Sequence, residues 1–346
     1  MDNPHDKFFK ETFSDLDTAK ALLVNTFPVE LTKKIDLCTL KLENAGFIDE
    51  ELKEYYADLV FTCTYQDKER IKVTLLLEHK STKERYPHMQ LLKYLLKMWE
   101  QDIKQLAVDS WQEQEAVGRR QRDKKLTPVI PVIIYHGKGK WQYKSFQEYF
   151  PGAGRDLARF IPGFDYILLD ISDYDDKKIE AFTSGFLKVA TFLMKYSREE
   201  KYLEDHLKEI FTTFVRDVTG KEDEEKVNKF LEVSVRYLLM SAGIAQEKII
   251  KIFYSISKKY GETAMTTGMK LINQGLQQGL QQGRQEGLQE GLQQGKQEGL
   301  QEGLYTSAKI IRLYRREGKK LHEIAKTLAI DERIVRKVLN EAGLLD

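Results

Sequence analysis

Cysteine is nearly absent, with Cys38 and Cys63 the two thiols in 346 residues. Two are too few for a disulfide scaffold and lack the paired spacing of a zinc site, so a stapled secreted fold and a zinc module are both excluded. A reducing cytoplasm suits such a chain. No stretch approaches the ~20 apolar residues that cross a bilayer. The opening run, Met1 to Glu11, lacks the basic start and apolar centre of a signal peptide. The expectation is a cytoplasmic protein that spans no membrane. Net charge is missing too: 55 Lys plus Arg against 54 Asp plus Glu leave +1. Bulk positive charge therefore cannot grip nucleic acid, and any such contact needs a local patch. What remains is a folded composition, 41% hydrophobic and 11% aromatic, long enough for more than one unit.

The patterns change along the chain. Residues 1–175 mix helical and strand periodicity, whereas 177–262 is helical almost throughout, which puts a boundary near Asp173–Lys177. The first part predicts a helix over about 6–25, strands over 57–65 and 71–80, a long helix over 87–106, and strands over 129–135 and 166–171. That order belongs to the α/β or α+β classes. Arg119, Arg120, Arg122 and the run to Pro128 predict an exposed basic loop before the strand at Val129.

From Gly275 onward, glycine recurs every fourth residue to Gly303 in units of Gly-Leu-Gln-Gln or Gly-Leu-Gln-Glu. Four residues turn an α-helix by about 400°, so the glycine stripe drifts by roughly 40° per unit, and partners following it would supercoil with a right hand. Each glycine costs a lone helix about 1 kcal/mol relative to alanine. Two readings stay open: a helical stalk that joins subunits into a homo-oligomer, or a flexible Gln-rich spacer. The polar positions between the glycines exclude a membrane helix.

The two β-type runs Ala57–Tyr65 and Ile71–Lys80 flank a polar turn and predict a hairpin. Alternation puts Glu78 and Lys80 on one face and His79 on the other. Pairing centred on Lys68 would set Asp58 directly across from Glu78, where two like charges repel unless a divalent cation joins them. Lys80 beside such an ion could orient a water or stabilise a developing phosphate charge, which is phosphodiester chemistry. The plain alternative is a pair of ordinary solvent-facing residues at a strand end, since Glu-x-Lys alone is common.

The next helix opens at Pro87, with Gln90 and Tyr94 four apart on one face and Lys93 and Lys97 as a second pair. These could contact nucleic acid, the lysines reaching phosphates. The alternative is an amphipathic helix burying Met89, Leu92, Leu96 and Trp99. His136 reads as a histidine satisfied at a strand-to-turn junction, because no second His or Cys stands at ligand spacing.

Asp58, the Glu78-His-Lys80-Ser81 strand end and Gln90-Leu-Leu-Lys-Tyr94 resemble the PD-(D/E)XK nuclease superfamily. More narrowly, His5-Asp-Lys-Phe-Phe-Lys10, Tyr56-Ala-Asp58, Leu77-Glu-His-Lys-Ser81, Pro131 to Gly137 with Trp141, and Asp165 to Asp170 resemble the Rpn recombination-promoting nucleases, also called YhgA-like transposases. The resemblance covers residues 4–175. It implies a restriction-endonuclease-like α/β core with a mixed sheet flanked by helices, and a Mg²⁺-dependent (or Mn²⁺-dependent) DNA endonuclease associated with recombination. It would make Asp58 and Glu78 metal ligands, Lys80 the catalytic lysine, and Gln90 with Tyr94 an auxiliary motif, with Asp6 or Glu11 as a further acidic group. Ala57 stands where the superfamily's eponymous proline would be. The alternative is a non-catalytic DNA-binding or regulatory protein that keeps the fold.

The tail from Tyr305 holds 10 Lys plus Arg and 6 Asp plus Glu, a local net of +4. Leu321–Leu328 and Asp331–Leu339 predict two short helices around a turn at Ala329-Ile330, with Ile324, Leu328, Val335 and Val338 as core. The pair resembles a helix-turn-helix, and Arg333, Arg336 and Lys337 would face DNA from its second helix. A helical hairpin that docks on a partner is the alternative. The expected organisation is thus a nuclease-like domain at 1–175, a helical region at 176–270, the repeat at 271–304 and a DNA-binding tail at 305–346.

Overall fold

The structure is a computed structural model that describes residues 3–43, 58–66, 69–78, 85–114, 125–152 and 154–345, with backbone alone at 58, 74–78, 107–114 and 155. The chain opens with α1 (Pro4–Phe13) and α2 (Leu16–Thr26), not one helix across 6–25. The break falls where Asp15 takes extended backbone and its carboxylate accepts the Thr18 N–H at 2.9 Å, which starts a new helix. A short α3 (Val29–Thr32) leads into β1 (Ile35–Leu42), β2 (Asp58–Tyr65) and β3 (Glu69–Glu78).

A long helix, α4 (Pro87–Gln114), crosses to β4 (Val129–Tyr135), and the short α5 (Arg155–Ala158) precedes β5 (Ile167–Asp170). The five strands lie in chain order. The β1–β2 and β2–β3 pairs are antiparallel and the β3–β4 and β4–β5 pairs parallel, so the sheet is mixed and the class α/β. Antiparallel neighbours such as β2 and β3 can be joined by a tight turn, whereas the parallel step from β3 to β4 needs the crossover that α4 supplies.

Each face of the sheet has its own core. Leu59, Phe61, Cys63, Val73, Val132 and Ile134 project to one side, where Phe8, Phe9 and Phe13 of α1 and Leu22 and Leu23 of α2 cover them. Val60, Ile133 and Tyr135 project to the other side and meet Leu91, Tyr94 and Met98 of α4. The expected apolar stripe of α4 is therefore rotated. Met89 and Leu96 are exposed, while His88, Leu91, Tyr94, Leu95 and Met98 are buried. Their spacing of three and four is as regular as the expected one, and it includes the aromatic His88 and Tyr94, which the apolar alphabet passes over.

The helices α6 (Asp176–Glu180), α7 (Gly185–Lys195), α8 (Glu200–Val218), α9 (Glu224–Ser241) and α10 (Gln246–Ile256) follow. Phe186, Leu193, Leu207, Phe211, Leu231, Leu238 and Phe253 from these helices join the same core as α1 and α2. The composition change near 173–177 thus marks a change of secondary structure, and both sides of it feed one core. Residues 1–270 form one compact unit and 271–346 a second.

The helix α11 (Lys258–Glu317) begins in the first unit and ends in the second. It contains the whole repeat in helical form, with Leu276, Leu280, Leu288, Leu292, Leu300 and Leu304 each at least 62% exposed. In the second unit, α12 (Leu321–Leu328) and α13 (Glu332–Glu341) close on Ile310 and Leu313 through Ile324, Ala325, Val335 and Leu339. Ala329 ends α12 with φ of 50°, a left-handed residue that turns the chain. No helix among the described residues is long and apolar enough to cross a membrane.

Candidate active site

The hairpin register differs from the symmetric expectation. Asp58 pairs with Leu76, not with Glu78, because the turn centres one residue earlier than Lys68. Position 78 lies two residues further along β3 and so keeps the sheet face of position 58, one diagonal step away. By the same alternation that face is the one with Val60, Lys72 and Tyr135, the side covered by α4. Lys80, His79 and Ser81 lie outside the described residues, as do Tyr56, Ala57 and the basic run at 119–122.

Across from β3, Glu78 is in register with Tyr135, and Tyr135 with Asp170. These three strand ends share one edge of the molecule. Asp170 is occupied: one oxygen accepts the Trp141 N–H at 2.8 Å, and the other accepts the Ser172 N–H and hydroxyl at 3.1 and 2.5 Å. It fastens the loop after β4. Tyr135 is fully buried and donates to the Lys138 carbonyl at 3.0 Å. A β-carbon on Gly137 would lie 2.5 Å from that ring, so the Tyr-His-Gly turn needs glycine for space.

α1 reaches this edge. The His5 ring centroid lies 5.0 Å from that of His136, and His5 Nδ1 is 2.7 Å from the Tyr237 hydroxyl on α9. His136 itself is buried, and its backbone carbonyl accepts from Arg198 at 3.5 Å. Asp6 follows His5 and is half-buried; burial pushes its carboxyl above the ordinary value against the opposing pull of Lys10 and Asn3. Glu11, one and a half turns further on, pairs with Arg236 of α9.

α4 contributes two kinds of residue. Tyr94 is buried against Val60 and Tyr135, and Gln90, one turn earlier, is half-buried. Lys93 is exposed, and Lys97 lies 3.8 Å from Glu100. Two features were not anticipated. Lys72, buried in the middle of β3, donates to Asp102 of α4 at 2.6 Å, and the other Asp102 oxygen accepts the Thr127 N–H at 2.9 Å. His88 is fully buried, and neither ring nitrogen has a hydrogen-bond partner among the described residues. Among the described residues no cluster of three His, Cys, Asp or Glu is arranged to hold a metal ion.

The tail cations are paired close to home. Arg333 forks onto Asp331 at 2.7 and 3.0 Å, Arg336 lies 3.7 Å from Glu332, and Lys337 lies 3.9 Å from Glu341.

A family model described as "Putative transposase, YhgA-like" matches residues 3–225, which take in the whole sheet and the helices on both of its faces. The chain belongs to this family. Among relatives, it is 25% identical over 179 residues to recombination-promoting nuclease RpnD of Escherichia coli O157:H7, covering 51% of this chain and 62% of that one. It is 28% identical over 178 residues to recombination-promoting nuclease RpnA of Escherichia coli strain K12, covering 51% of this chain and 54% of RpnA. The matches to these two relatives thus span 62% and 54% of their length. A longer match, 24% identical over 279 residues and covering 80% of this chain and 83% of the relative, is to the inactive recombination-promoting nuclease-like protein RpnE of the same strain. No solved structure matches the chain.

Proposed function

We propose that this protein is a cytoplasmic, metal-dependent DNA endonuclease of the PD-(D/E)XK type that acts in recombination. The observation that carries the reading is the β2–β3 register, in which positions 58 and 78 share the α4-covered face beside the ends of β4 and β5. Relatives named as recombination-promoting nucleases support it. Two carboxylates one diagonal step apart suit a hard divalent ion such as Mg²⁺ or Mn²⁺, and Asp58 and Glu78 would hold it. When bound, such an ion supplies a water of lowered pKa and neutralises charge on the phosphate.

Lys80 is the catalytic lysine of this reading, and Gln90 with Tyr94 lines the site from α4. Of the two acids left open on α1, Asp6 is the better third ligand. Glu11 is committed to Arg236, whereas Asp6 has no ion pair among the described residues. The repeat helix joins copies of the chain, and the basic tail is a helix-turn-helix that contacts DNA through Arg333, Arg336 and Lys337. Lys93 and Lys97 add phosphate contacts.

Nicking of supercoiled plasmid with Mg²⁺ and with EDTA tests the reading in wild type, Asp58→Ala, Glu78→Ala and Lys80→Ala. Metal-dependent nicking by wild type alone is expected. Nicking that survives the substitutions removes the site assignment. A second reading is favoured by the RpnE match: a non-catalytic DNA-binding protein that keeps the fold. Wild type that binds DNA yet cuts nothing with any divalent ion supports that one.

A further inference from the structure

The start of α4 and the segment between β4 and β5 together form an aromatic cluster that is closed on the inside and open on the outside. His88 stacks on Phe146 with centroids 5.1 Å apart and planes 10° apart, and Tyr149, Phe164 and Tyr166 meet its ring at 5.1 to 5.7 Å. Three further rings rest on this inner set. Tyr86 lies 5.3 Å from Tyr149, Phe150 lies 5.5 Å from Phe146, and Tyr143 lies 5.1 Å from Tyr166. Each of the three is at least 42% exposed, and Phe160 in the same loop is 71% exposed. Rings held from beneath and bare above are pre-oriented, so little rotamer freedom is lost when something stacks on them.

Cations stand over and beside these rings. Arg85 lies 5.3 Å over the Tyr86 ring, Arg159 lies 4.7 Å over Phe160, and the exposed Lys144 follows Tyr143. The neighbouring acids are mostly engaged within the loop. Glu148 accepts the Ser145 N–H and hydroxyl at 2.7 and 2.9 Å, and Asp165 accepts the Tyr143 hydroxyl at 2.7 Å; these neutral donors fix the two carboxylates in place without cancelling their charge, and Asp156 is a third, exposed acid of the segment. Exposed rings interleaved with guanidinium and ammonium groups match a polyanion that also offers flat faces. An apolar protein partner would call for rings without cations over them.

We propose that this surface binds unpaired nucleic acid, with Tyr86, Tyr143 and Phe160 stacking on bases and Arg85, Lys144 and Arg159 meeting phosphates. The inference rests on the nuclease reading for its meaning and adds the substrate class: DNA with a single-stranded segment, such as a tail or a gap. Duplex DNA hides its base faces within the stack and has nothing for these rings except at its ends.

The test is fluorescence anisotropy of the full chain in EDTA, so that nothing is cut, with a labelled single strand of about 15 nucleotides and a duplex of the same sequence. Tyr86→Ala and Phe160→Ala are each expected to weaken single-strand binding about five- to a hundredfold, with Tyr86→Phe and all duplex affinities within about twofold of wild type. Equal loss on duplex, a Tyr86→Phe as poor as Tyr86→Ala, or no loss in either alanine variant overturns the proposal. Phe160 is exposed enough that its removal leaves the fold intact, so it still decides the matter if Tyr86→Ala unfolds. A protein that cuts duplex with Mg²⁺ but shows no ring dependence sinks this inference alone. One that shows the ring dependence but never cuts sinks the nuclease reading alone.

Discussion

Lys72 Nζ lies 2.6 Å from Asp102 Oδ1, an ion pair between the middle of β3 and the fifth turn of α4 with side chains only 7% and 14% exposed. Because the second Asp102 oxygen also accepts the Thr127 N–H, one carboxylate ties the strand, the covering helix and the entry to β4 together. Burial raises the Asp102 carboxyl, and the hydrogen bonds from Lys72 and Thr127 more than reverse this, holding it below its ordinary value. The pair sits on the same sheet face as positions 58 and 78, so it fixes the helix that covers the candidate site.

Removing one partner leaves a buried charge unpaired. Asp102→Ala is expected to cost about 3–5 kcal/mol in urea unfolding, and Lys72→Met combined with Asp102→Leu is expected to recover most of that loss. The Thr127 N–H stays without its acceptor in the double variant, so a deficit of about 1 kcal/mol should persist. Since the folded carboxyl is depressed, its contribution is complete above the ordinary aspartate value and fades as pH falls through the folded one. A double variant as unstable as Asp102→Ala would show that the pair is not what holds the helix.

His88 gives a second, separable pH effect. Burial lowers its pKa from 6.5, against the weaker opposing pull of Asp165 and Glu148. Below about pH 6.5 the unfolded chain takes up a proton that the folded cage refuses, so stability is full above that value and declines as pH falls through it. His88→Phe keeps a ring on Phe146 and removes the titration. Its stability relative to wild type should rise between pH 7.5 and 5.5 in paired urea titrations. An unchanged difference across that range contradicts the assignment.

How far the sequence speaks depends on how local each signal is. β4 falls at Val129–Tyr135 as the apolar run predicts, and β2 and β3 begin and end within two residues of expectation. The helix pair around Ala329 is equally legible, because both the periodicity and the turn are contained in about twenty residues. β1 escaped notice: Ile35–Leu42 mixes polar residues throughout, and its pairing with β2 is irregular between Asp36 and Lys41. Lys72–Asp102 and the His88 cage could not be read, because nothing in the spacing of a strand lysine and a helix aspartate thirty residues on announces contact. Register suffered for a related reason. Shifting the turn centre by one residue moves the opposed residue by two, which preserves the face and changes the partner.

The two acids of α1 separate by their partners. Glu11 is held by Arg236, so Glu11→Gln should lower stability and leave any metal-dependent nicking per folded molecule within about twofold, since it removes an ion pair away from the strand-end edge. Asp6→Asn should do the reverse, with nicking down about 10- to 100-fold, the cost typical of disturbing a metal site's supporting ligands, and the unfolding midpoint little changed. Isothermal titration of Mg²⁺ into both variants gives an independent readout. Swapped outcomes would make Glu11 the site residue.

The repeat helix poses an energetic problem that close packing against a second copy would solve. From Gly275 to Gly303 every residue is exposed, no neighbour among the described residues lies within 4 Å of a β-carbon built on any of the glycines, and the leucines stand bare beside them. With each glycine costing about 1 kcal/mol, a solitary helix of this composition would be poor, and most helical stability comes from packing. A second copy offers a matching glycine and leucine stripe at every unit, where absent side chains let two backbones approach closely. Gly287→Ala with Gly291→Ala therefore has opposite expectations under the two readings. In a lone helix it adds about 1 kcal/mol per site to helix stability and leaves the mass unchanged. In a close-packed stalk it fills the contact and shifts sedimentation equilibrium toward the smaller species, even as the substituted helix gains propensity. Leu288→Gln with Leu292→Gln should dissociate the stalk without touching the glycines. Wild type that sediments as a monomer at every concentration removes the stalk.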